Sequence, residues 1–203
     1  MMSGYYPERN LTAVKYVKFA SKILFAPLFD IHITGEYNIP RKGSFILLPK
    51  HQRWEDIPIT AVSVHRHLLY VAKQELFNNV ISRNIISILG GMPLDRDKPA
   101  RSRNTYSKLL KKINENEGIV LFPEGTYYRD RMGTGHVGLL RMIHSSINTQ
   151  FIPAGIRYTP GRRRTGVNIS FGKPVPGTDF MNSGELLEYI MSEIARLSGY
   201  CYT

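Results

Sequence analysis

The sequence contains a single cysteine, Cys201, so it cannot form an intrachain disulfide, and this favours a reducing compartment. The G-x-S-x-G, Walker A, H-E-x-x-H and paired C-x-x-C motifs are missing as well. Their absence argues against an α/β-hydrolase, a P-loop enzyme and the common zinc sites. His65 and His67 have no third ligand at metal spacing, so we expect no metal and no cofactor.

Acidic residues are also scarce relative to basic ones. The 203 residues include 27 Lys and Arg against 16 Asp and Glu, which gives a net charge of +11 and a pI of about 9.8. This charge indicates a negatively charged partner, which can be a nucleic acid, an anionic membrane or a phosphate-bearing substrate. A basic surface that is merely solvated is the alternative, and composition alone does not decide between them.

The segment Leu11–Phe29 is apolar apart from three lysines, and it includes Phe19 and Phe25. The lysines are Lys15, Lys18 and Lys22. Their spacing of i, i+3 and i+7 places them on one face of a helix. Only seven uncharged residues separate Lys22 from Asp30, so the segment is too charged to span a bilayer.

We therefore predict a membrane-associating segment, residues 1–30, built on an amphipathic helix that lies in the membrane interface. The lysines are expected to face lipid phosphates while the apolar side chains enter the lipid, which gives a peripheral or monotopic protein on the cytoplasmic face of a membrane. A helix that packs on the domain with its lysines in solvent is the alternative.

From residue 31 to residue 203 the chain alternates short β-like runs with helical stretches, which predicts one α/β domain with a largely parallel mixed sheet flanked by helices. Chemistry in such sheets usually lies where strands end and helices begin. The predicted strands are Ile31–Tyr37, Ser44–Leu48, Leu68–Ala72, Gly118–Phe122, Phe151–Tyr158 and Val167–Phe171. The predicted helices are Ile57–His65, Asn78–Leu89, Ala100–Asn116, Gly138–Ser146 and Gly184–Leu197.

His51 and Asp56 lie in the loop that follows the predicted strand Ser44–Leu48. Pro58 is tolerated only in the first turn of the next helix, so Asp56 lies near the start of that helix. A loop can fold His51 back beside Asp56, and a carboxylate that accepts the Nδ1–H of an imidazole leaves Nε2 free to take a proton from a hydroxyl. Alone, the pair is a weak signal, and a histidine bonded to a helix cap is then the preferred interpretation.

A second motif, Phe122-Pro123-Glu124-Gly125-Thr126, directly follows the apolar run that begins at Gly118. A strand that ends in a rigid proline, an acid and a glycine can direct a carboxylate and backbone N–H groups into a site at the edge of the sheet.

Together, the two motifs resemble the glycerolipid acyltransferase family that makes phosphatidic acid from lysophosphatidic acid. His51 and Asp56 match the H-x-x-x-x-D pattern of that family, and Phe122–Thr126 match its F-P-E-G-T block. Further matches are Val71–Leu76, Gly90–Arg96 and Phe151–Ile156. The resemblance covers about residues 31–175.

The resemblance implies that His51 is the general base and Asp56 its orienting partner. It places Arg96 on the glycerol phosphate and implies that Glu124 and Gly125, within the Phe122–Thr126 block, shape the acceptor site. Arg129 is the one basic residue kept where the family usually continues with Arg-Ser-Arg. Arg157, beside the end of a predicted strand, is a further candidate for a phosphate contact, with a surface ion pair as the alternative.

Two departures leave the acceptor's head group open. Tyr127 and Tyr128 replace residues of the usual Arg-Ser-Arg, and His136 stands where a lysine is common. We expect an acyl-CoA or acyl carrier protein thioester as donor and a lysophospholipid as acceptor, with another lysolipid or an amino-lipid as the alternative. A non-catalytic basic protein that binds membranes or nucleic acid is the rival class, but no RNA-binding aromatic platform is present, so we expect no nucleic acid partner.

Overall fold

The computed structural model describes residues 8–95, 103–144 and 149–202. In this part of the chain, eight strands form one sheet in the order β1-β7-β6-β2-β5-β3-β4, with β8 paired to β6. The strands are β1 (Phe29–Thr34), β2 (Phe45–Pro49), β3 (Leu68–Lys73), β4 (Gly91–Leu94), β5 (Gly118–Val120), β6 (Gln150–Thr159), β7 (Thr165–Phe171) and β8 (Val175–Pro176). The five strands from β6 to β4 are parallel, whereas β7 pairs antiparallel with β6 and β1 pairs parallel with β7.

Within the described ranges, six α-helices cover the two faces of this sheet. They are α1 (Leu11–Phe25), α2 (Asp56–Ser63), α3 (Val80–Ile88), α4 (Arg103–Asn114), α5 (Val137–His144) and α6 (Ser183–Ser198). Buried side chains of α4, α5 and α6 form one core cluster with Ile46, Leu48 and Ile119, while buried side chains of α1 and α2 form a second cluster with Phe45, Leu47 and Val120. Because side chains alternate across a strand, these two clusters lie on opposite faces of the sheet.

Helix α3 lies on the same face as α1 and α2. Met92 and Leu94 of β4 belong to the cluster on the α4–α6 face, so Gly91 points to the opposite face. A Cβ atom on Gly91 would stand 2.2 Å from Ile86 Cγ2, which shows that α3 packs closely on this glycine. In addition, the N–H of Asn10, which caps the start of α1, donates to the carbonyl of Ile88 at the end of α3 (2.9 Å).

The structure confirms the predicted α/β class with its largely parallel mixed sheet. The bounds of α1 and the strand β4 are two of the places where it differs from the sequence prediction. Helix α1 ends at Phe25 because Pro27 follows, and Phe29 already pairs with Thr165 as the first residue of β1. Strand β4 was missed because it is short and contains Pro93, a residue that sheets accept at their edges, and β4 is an edge strand.

The lysines of α1 do not share an outward face as expected. The ammonium of Lys18 points at the domain, where it donates to the carbonyls of Val64 and Arg66 just beyond α2, whereas Lys15 and Lys22 are exposed. Among the described residues, no helix combines the length and apolar character that crossing a membrane requires.

Desolvation at this contact lowers the pKa of Lys18 from 10.5 to about 8, with the charge of Lys22 as a smaller cause. Between these two values the unfolded chain binds more protons than the folded one, so the free energy of unfolding should rise with pH. The Lys18→Met variant lacks this contribution. Urea denaturation at several pH values should therefore show the wild type gaining stability relative to the variant from about pH 8 to 10.5. A difference that does not change with pH would contradict the burial of a titrating ammonium.

Candidate active site

The two sequence motifs meet at the carboxyl ends of neighbouring strands. Strand β2 pairs in parallel with β5 and with β6, so the residues that follow these strands gather at one edge of the sheet. His51 comes two residues after the end of β2, and Phe122 comes two residues after the end of β5. The tertiary structure thus places the histidine loop directly beside the Phe122–Thr126 block.

His51 and Asp56 form a hydrogen-bonded pair. The Nδ1 atom of His51 lies 3.1 Å from Oδ2 of Asp56, whose side chain is completely buried. Because an ionised carboxylate only accepts hydrogen bonds, Nδ1 carries the proton and Nε2 presents its lone pair. Asp56 Oδ2 also accepts from the backbone N–H groups of Gln52 (2.5 Å) and Arg53 (2.7 Å), so the same carboxylate shapes the loop and orients the ring.

Tyr158, on β6, supplies a further donor to this carboxylate. Its hydroxyl lies 2.7 Å from Asp56 Oδ1, and the guanidinium of Arg53 stacks on its ring at 4.2 Å. Burial, followed by the charge of Asp56, raises the pKa of Tyr158 well above its usual range, so the phenol stays protonated and donates. Both oxygens of Asp56 are therefore held by donors, which fixes the plane of the carboxylate.

The imidazole of His51 lies between two aromatic rings. The ring of Phe122 stacks on it with centroids 3.8 Å apart, and the ring of Tyr127 meets it edge-on at 4.5 Å. His51 keeps a small exposed area of 8%, and its Nε2 has no hydrogen-bond partner within the part of the chain that the structure describes. The imidazole is thus oriented on its Nδ1 side and open on its Nε2 side.

Behind the histidine, Lys50 and Glu124 form an ion pair in which both side chains have no exposure. Lys50 Nζ lies 2.9 and 2.8 Å from the two oxygens of Glu124 and also donates to the carbonyl of Tyr128 (2.8 Å). Glu124 accepts in addition from the backbone N–H groups of His51 (3.0 Å) and Gly133 (2.7 Å). Burial lowers the pKa of Lys50, while its hydrogen bond and ion pair with Glu124 act in the opposite direction.

Glu124 was expected to shape the acceptor site, and this role stays a prediction. Its carboxylate points away from solvent, and its two oxygens are occupied by Lys50, His51 and Gly133. The proline and glycine that flank Glu124 turn the chain so that the carboxylate enters the loop interior. Glu124 therefore fixes the backbone of His51.

The rest of the block supplies backbone groups at the surface of the site. Gly125 adopts a φ of +70°, a left-handed conformation that favours glycine, and Pro123 is buried while Thr126 is exposed. Within the described chain, the N–H groups of Thr126 and Tyr127 make no hydrogen bond. Since the ring of Tyr127 contacts His51, these two N–H groups are candidates to stabilise an oxyanion near the base.

Arg157 points away from His51. It points to the α6 face of β6, opposite to its neighbours Ile156 and Tyr158, and donates to the carbonyls of Ser198 (3.2 Å) and Gly199 (2.6 Å). The phosphate contact expected for Arg157 is therefore replaced by a structural contact with the end of α6. Arg129 is exposed, and Arg96 lies outside the described residues.

Sequence reasoning missed three residues of the site. They are Lys50, Gln52 and Tyr158. Gln52 donates to the carbonyl of Ile156 (2.6 Å) and accepts from the N–H of Asp130 and the hydroxyl of Tyr200, so it joins the histidine loop to the C-terminal segment. A charged residue directly after a completely apolar strand was the available signal for Lys50, whereas the partners of Tyr158 depend on strand order.

Comparison with known proteins points to the same family as the sequence motifs. Residues 30–157 match the family model described as Acyltransferase. The 1-acyl-sn-glycerol-3-phosphate acyltransferase of Bacillus subtilis is 29% identical over 114 residues, which cover 55% of this chain and 56% of that protein. The protein of the same name from Streptococcus pneumoniae is 28% identical over 155 residues, covering 74% and 57%. The chain therefore spans little more than half the length of these two relatives.

A third curated relative and a solved structure extend the match over most of the chain. The 1-acyl-sn-glycerol-3-phosphate acyltransferase of Haemophilus influenzae is 26% identical over 187 residues, covering 87% of this chain and 73% of that protein. The crystal structure of the 1-acyl-sn-glycerophosphate acyltransferase PlsC from Thermotoga maritima superposes with a TM-score of 0.74 over 92% of this chain and 78% of that chain, at 23% identity. At this identity the structural match shows the shared fold.

The Lys50→Met variant tests the buried ion pair. Methionine has a similar length but leaves the carboxylate of Glu124 without its cation, so the free energy of unfolding should fall by about 3–5 kcal/mol in urea denaturation at neutral pH. The double variant Lys50→Met/Glu124→Gln removes both charges and should lose less than the sum of the two single variants. Lys112→Met, in the exposed pair of Lys112 with Glu115 (2.7 Å), is the matched control and should cost less than about 1 kcal/mol. Equal losses for Lys50 and Lys112 would show that burial of the pair has no energetic consequence.

Proposed function

The chain belongs to the acyltransferase family, and we propose that it transfers a fatty acyl group from a thioester to the free hydroxyl of lysophosphatidic acid, giving phosphatidic acid for phospholipid synthesis. The names of its curated relatives support this acceptor. The observation that carries the proposal is His51, held by Asp56 at Nδ1 and open at Nε2. Within the described residues no serine or cysteine bonds to His51, which is consistent with direct attack by the acceptor's own hydroxyl.

The proposed reaction has two proton transfers, and His51 makes both of them. His51 Nε2 takes the proton of the acceptor hydroxyl as its oxygen attacks the thioester carbonyl. The N–H groups of Thr126 and Tyr127 stabilise the resulting oxyanion. The C–S bond then breaks, and the imidazolium returns its proton to the departing thiolate. Asp56 stays ionised and stabilises the imidazolium between the two steps. No cofactor is required.

Two arginines suit an acceptor that carries a phosphate. Arg129 is exposed just after the Phe122–Thr126 block, and Arg96, which lies outside the described residues, is the arginine that the resemblance assigns to the phosphate. The donor is acyl-CoA or an acyl carrier protein, and both are acidic, in keeping with the net charge of +11. A second acceptor class, another lysolipid or an amino-lipid, is favoured by one observation: the neutral ring of Tyr127 contacts the base where the family usually has an arginine.

The protein is proposed to act at the cytoplasmic face of a membrane as a peripheral or monotopic protein. Helix α1 supports this, because much of its apolar surface is exposed, including the side chains of Tyr16, Phe19, Ile23 and Leu24. Phe25, expected to enter lipid, is instead buried in the contact between α1 and the domain.

The His51→Ala variant tests the base. A folded variant should lose acyl transfer to lysophosphatidic acid by about 10²–10⁴-fold in kcat/KM, because this is the usual contribution of a positioned general base. His32→Ala, which removes an exposed histidine of β1, is the control and should keep wild-type rates. Both variants are assayed with acyl-CoA and acyl carrier protein donors against acceptors with and without a phosphate. Near wild-type rates for His51→Ala would refute the mechanism, whereas activity only on phosphate-free acceptors would refute the acceptor.

The Tyr158→Phe variant tests the donor behind Asp56. Losing one hydrogen bond to a buried carboxylate should lower kcat by about tenfold and leave KM nearly unchanged, because Tyr158 orients the dyad without contacting substrate. Tyr37→Phe, at an exposed tyrosine, is the matched control. A rise in KM without a fall in kcat would instead place Tyr158 in substrate binding.

A further inference from the structure

The loop that follows the Phe122–Thr126 block lies beside the base and has no regular structure of its own. Residues 127–136 are all described, and they form neither a helix nor a strand. This segment, the 127–136 loop, carries Tyr127, whose ring meets the imidazole of His51 and whose N–H is a candidate oxyanion donor. Because no ladder or helix fixes the loop, its position relative to His51 depends on contacts with other parts of the chain.

Two backbone N–H groups of the 127–136 loop bond the histidine loop directly. The N–H of Tyr128 donates to the carbonyl of His51 (3.0 Å), and the N–H of Asp130 donates to Oε1 of Gln52 (3.0 Å). Asp130 has a φ of +56°, a left-handed conformation that residues other than glycine rarely adopt. Such a conformation persists where the surrounding contacts hold it, and the bond to Gln52 is one such contact.

The side-chain amide of Gln52 is bonded at both ends. Gln52 is 1% exposed, and its Nε2 donates to the carbonyl of Ile156 on β6 (2.6 Å). Its Oε1 accepts from the N–H of Asp130 and from the hydroxyl of Tyr200 (3.1 Å). The backbone N–H of Gln52 donates to Oδ2 of Asp56. One buried residue therefore contacts the dyad, the 127–136 loop and the segment after α6.

The hydroxyl of Tyr200 is the donor in its bond to Gln52. A backbone N–H can only donate, so the atom of Gln52 that faces Asp130 is the amide oxygen, and the phenol meets this same oxygen. Burial, followed by the charge of Asp130, raises the pKa of Tyr200. The phenol therefore keeps its proton at neutral pH and can donate it to the hydrogen bond.

Arg157 holds Tyr200 in place at the end of α6. Its guanidinium lies 5.1 Å from the centre of the Tyr200 ring and donates to the carbonyls of Ser198 and Gly199. Gly199 has a φ of +68°, and a Cβ atom there would stand 2.7 Å from Nη1 of Arg157. The N–H of Tyr200 also donates to the carbonyl of Ala195 (2.9 Å). The turn after α6 thus directs the phenol at Gln52.

We propose that Tyr200 is a positioning residue that acts through Gln52 and holds the 127–136 loop at a fixed place beside His51. Its effect on rate rests on the proposed function, because acyl transfer requires the base and the oxyanion donors of this loop at a fixed separation. A tyrosine that only completes the packing of α6 is the alternative. It would alter the stability of the protein without a specific effect on kcat.

The Tyr200→Phe variant removes the hydroxyl and keeps the ring on Arg157. It should lower kcat by about three- to tenfold with KM for donor and acceptor nearly unchanged, since one hydrogen bond to a buried amide contributes about this factor. Tyr189→Phe, at an exposed tyrosine of α6, is the matched control and should keep wild-type rates. A wild-type kcat for Tyr200→Phe, or a loss that lies in KM alone, would overturn the inference.

A double-variant cycle tests whether Tyr200 acts through Gln52. Gln52→Met keeps the length of the side chain but removes its acceptor and its donor, so it should lower kcat more than Tyr200→Phe does. Adding Tyr200→Phe to Gln52→Met should cause no further loss, because the bond is already absent. Arg157→Lys loses the planar group that joins the ring to the end of α6, and it should be coupled to Tyr200→Phe in the same way. Losses that multiply in both double variants would show that Tyr200 acts elsewhere.

Hydrogen exchange followed by NMR gives a readout that does not depend on activity. In Tyr200→Phe the backbone N–H of Asp130 should exchange about tenfold faster than in the wild type, because Gln52 is held less firmly, whereas the N–H groups of β2 and β5 should not change. Unchanged exchange at Asp130 would overturn the inference. If the wild type acylates no acceptor at all, the proposed function fails, while exchange at Asp130 still decides whether Tyr200 holds the loop.

Discussion

The site depends on one buried carboxylate, that of Glu124, and on the ammonium that compensates it. Two strands end side by side at the edge of the sheet, but strand pairing alone leaves the loops beyond them free. Glu124 removes this freedom because it bonds the ammonium of Lys50 and the backbone N–H groups of His51 and Gly133. A charge without solvent cannot stay unpaired, so the loops that supply these donors must close around it.

Asp56 is a second buried carboxylate that holds the histidine loop, and it also bonds the imidazole itself. It is also completely buried, and its oxygens are shared among the ring of His51, the backbone of the same loop and the hydroxyl of Tyr158. Two buried carboxylates therefore fix the histidine, Glu124 through its backbone and Asp56 through its side chain. The Nε2 atom stays open because the neighbouring donor groups bond the carboxylates of Glu124 and Asp56.

The position of this edge in the whole molecule suits the lysolipid acceptor proposed above. Helices α1, α2 and α3 share one face of the sheet, and α1 and α3 each carry exposed apolar side chains. A lysolipid has its reactive hydroxyl near the head group, so a base at the rim of an apolar surface can meet it without drawing the acyl chain into water.

The sequence by itself determined the fold class, most of the element positions and the dyad of His51 and Asp56. The fold class and the element positions follow from local information, namely hydrophobic periodicity and a proline in the first turn of a helix. The dyad also depended on the resemblance of two motifs, each directly after a strand, to those of the acyltransferase family. Only the tertiary structure decided which way the charged side chains point. Glu124 turns inward, Arg157 turns to the end of α6 and Lys18 turns to the end of α2, because each direction depends on donors or carbonyls far away in the chain. Lys50 and Tyr158 belong to the site for the same reason. Strand order brings them to Glu124 and Asp56, and no local pattern encodes strand order.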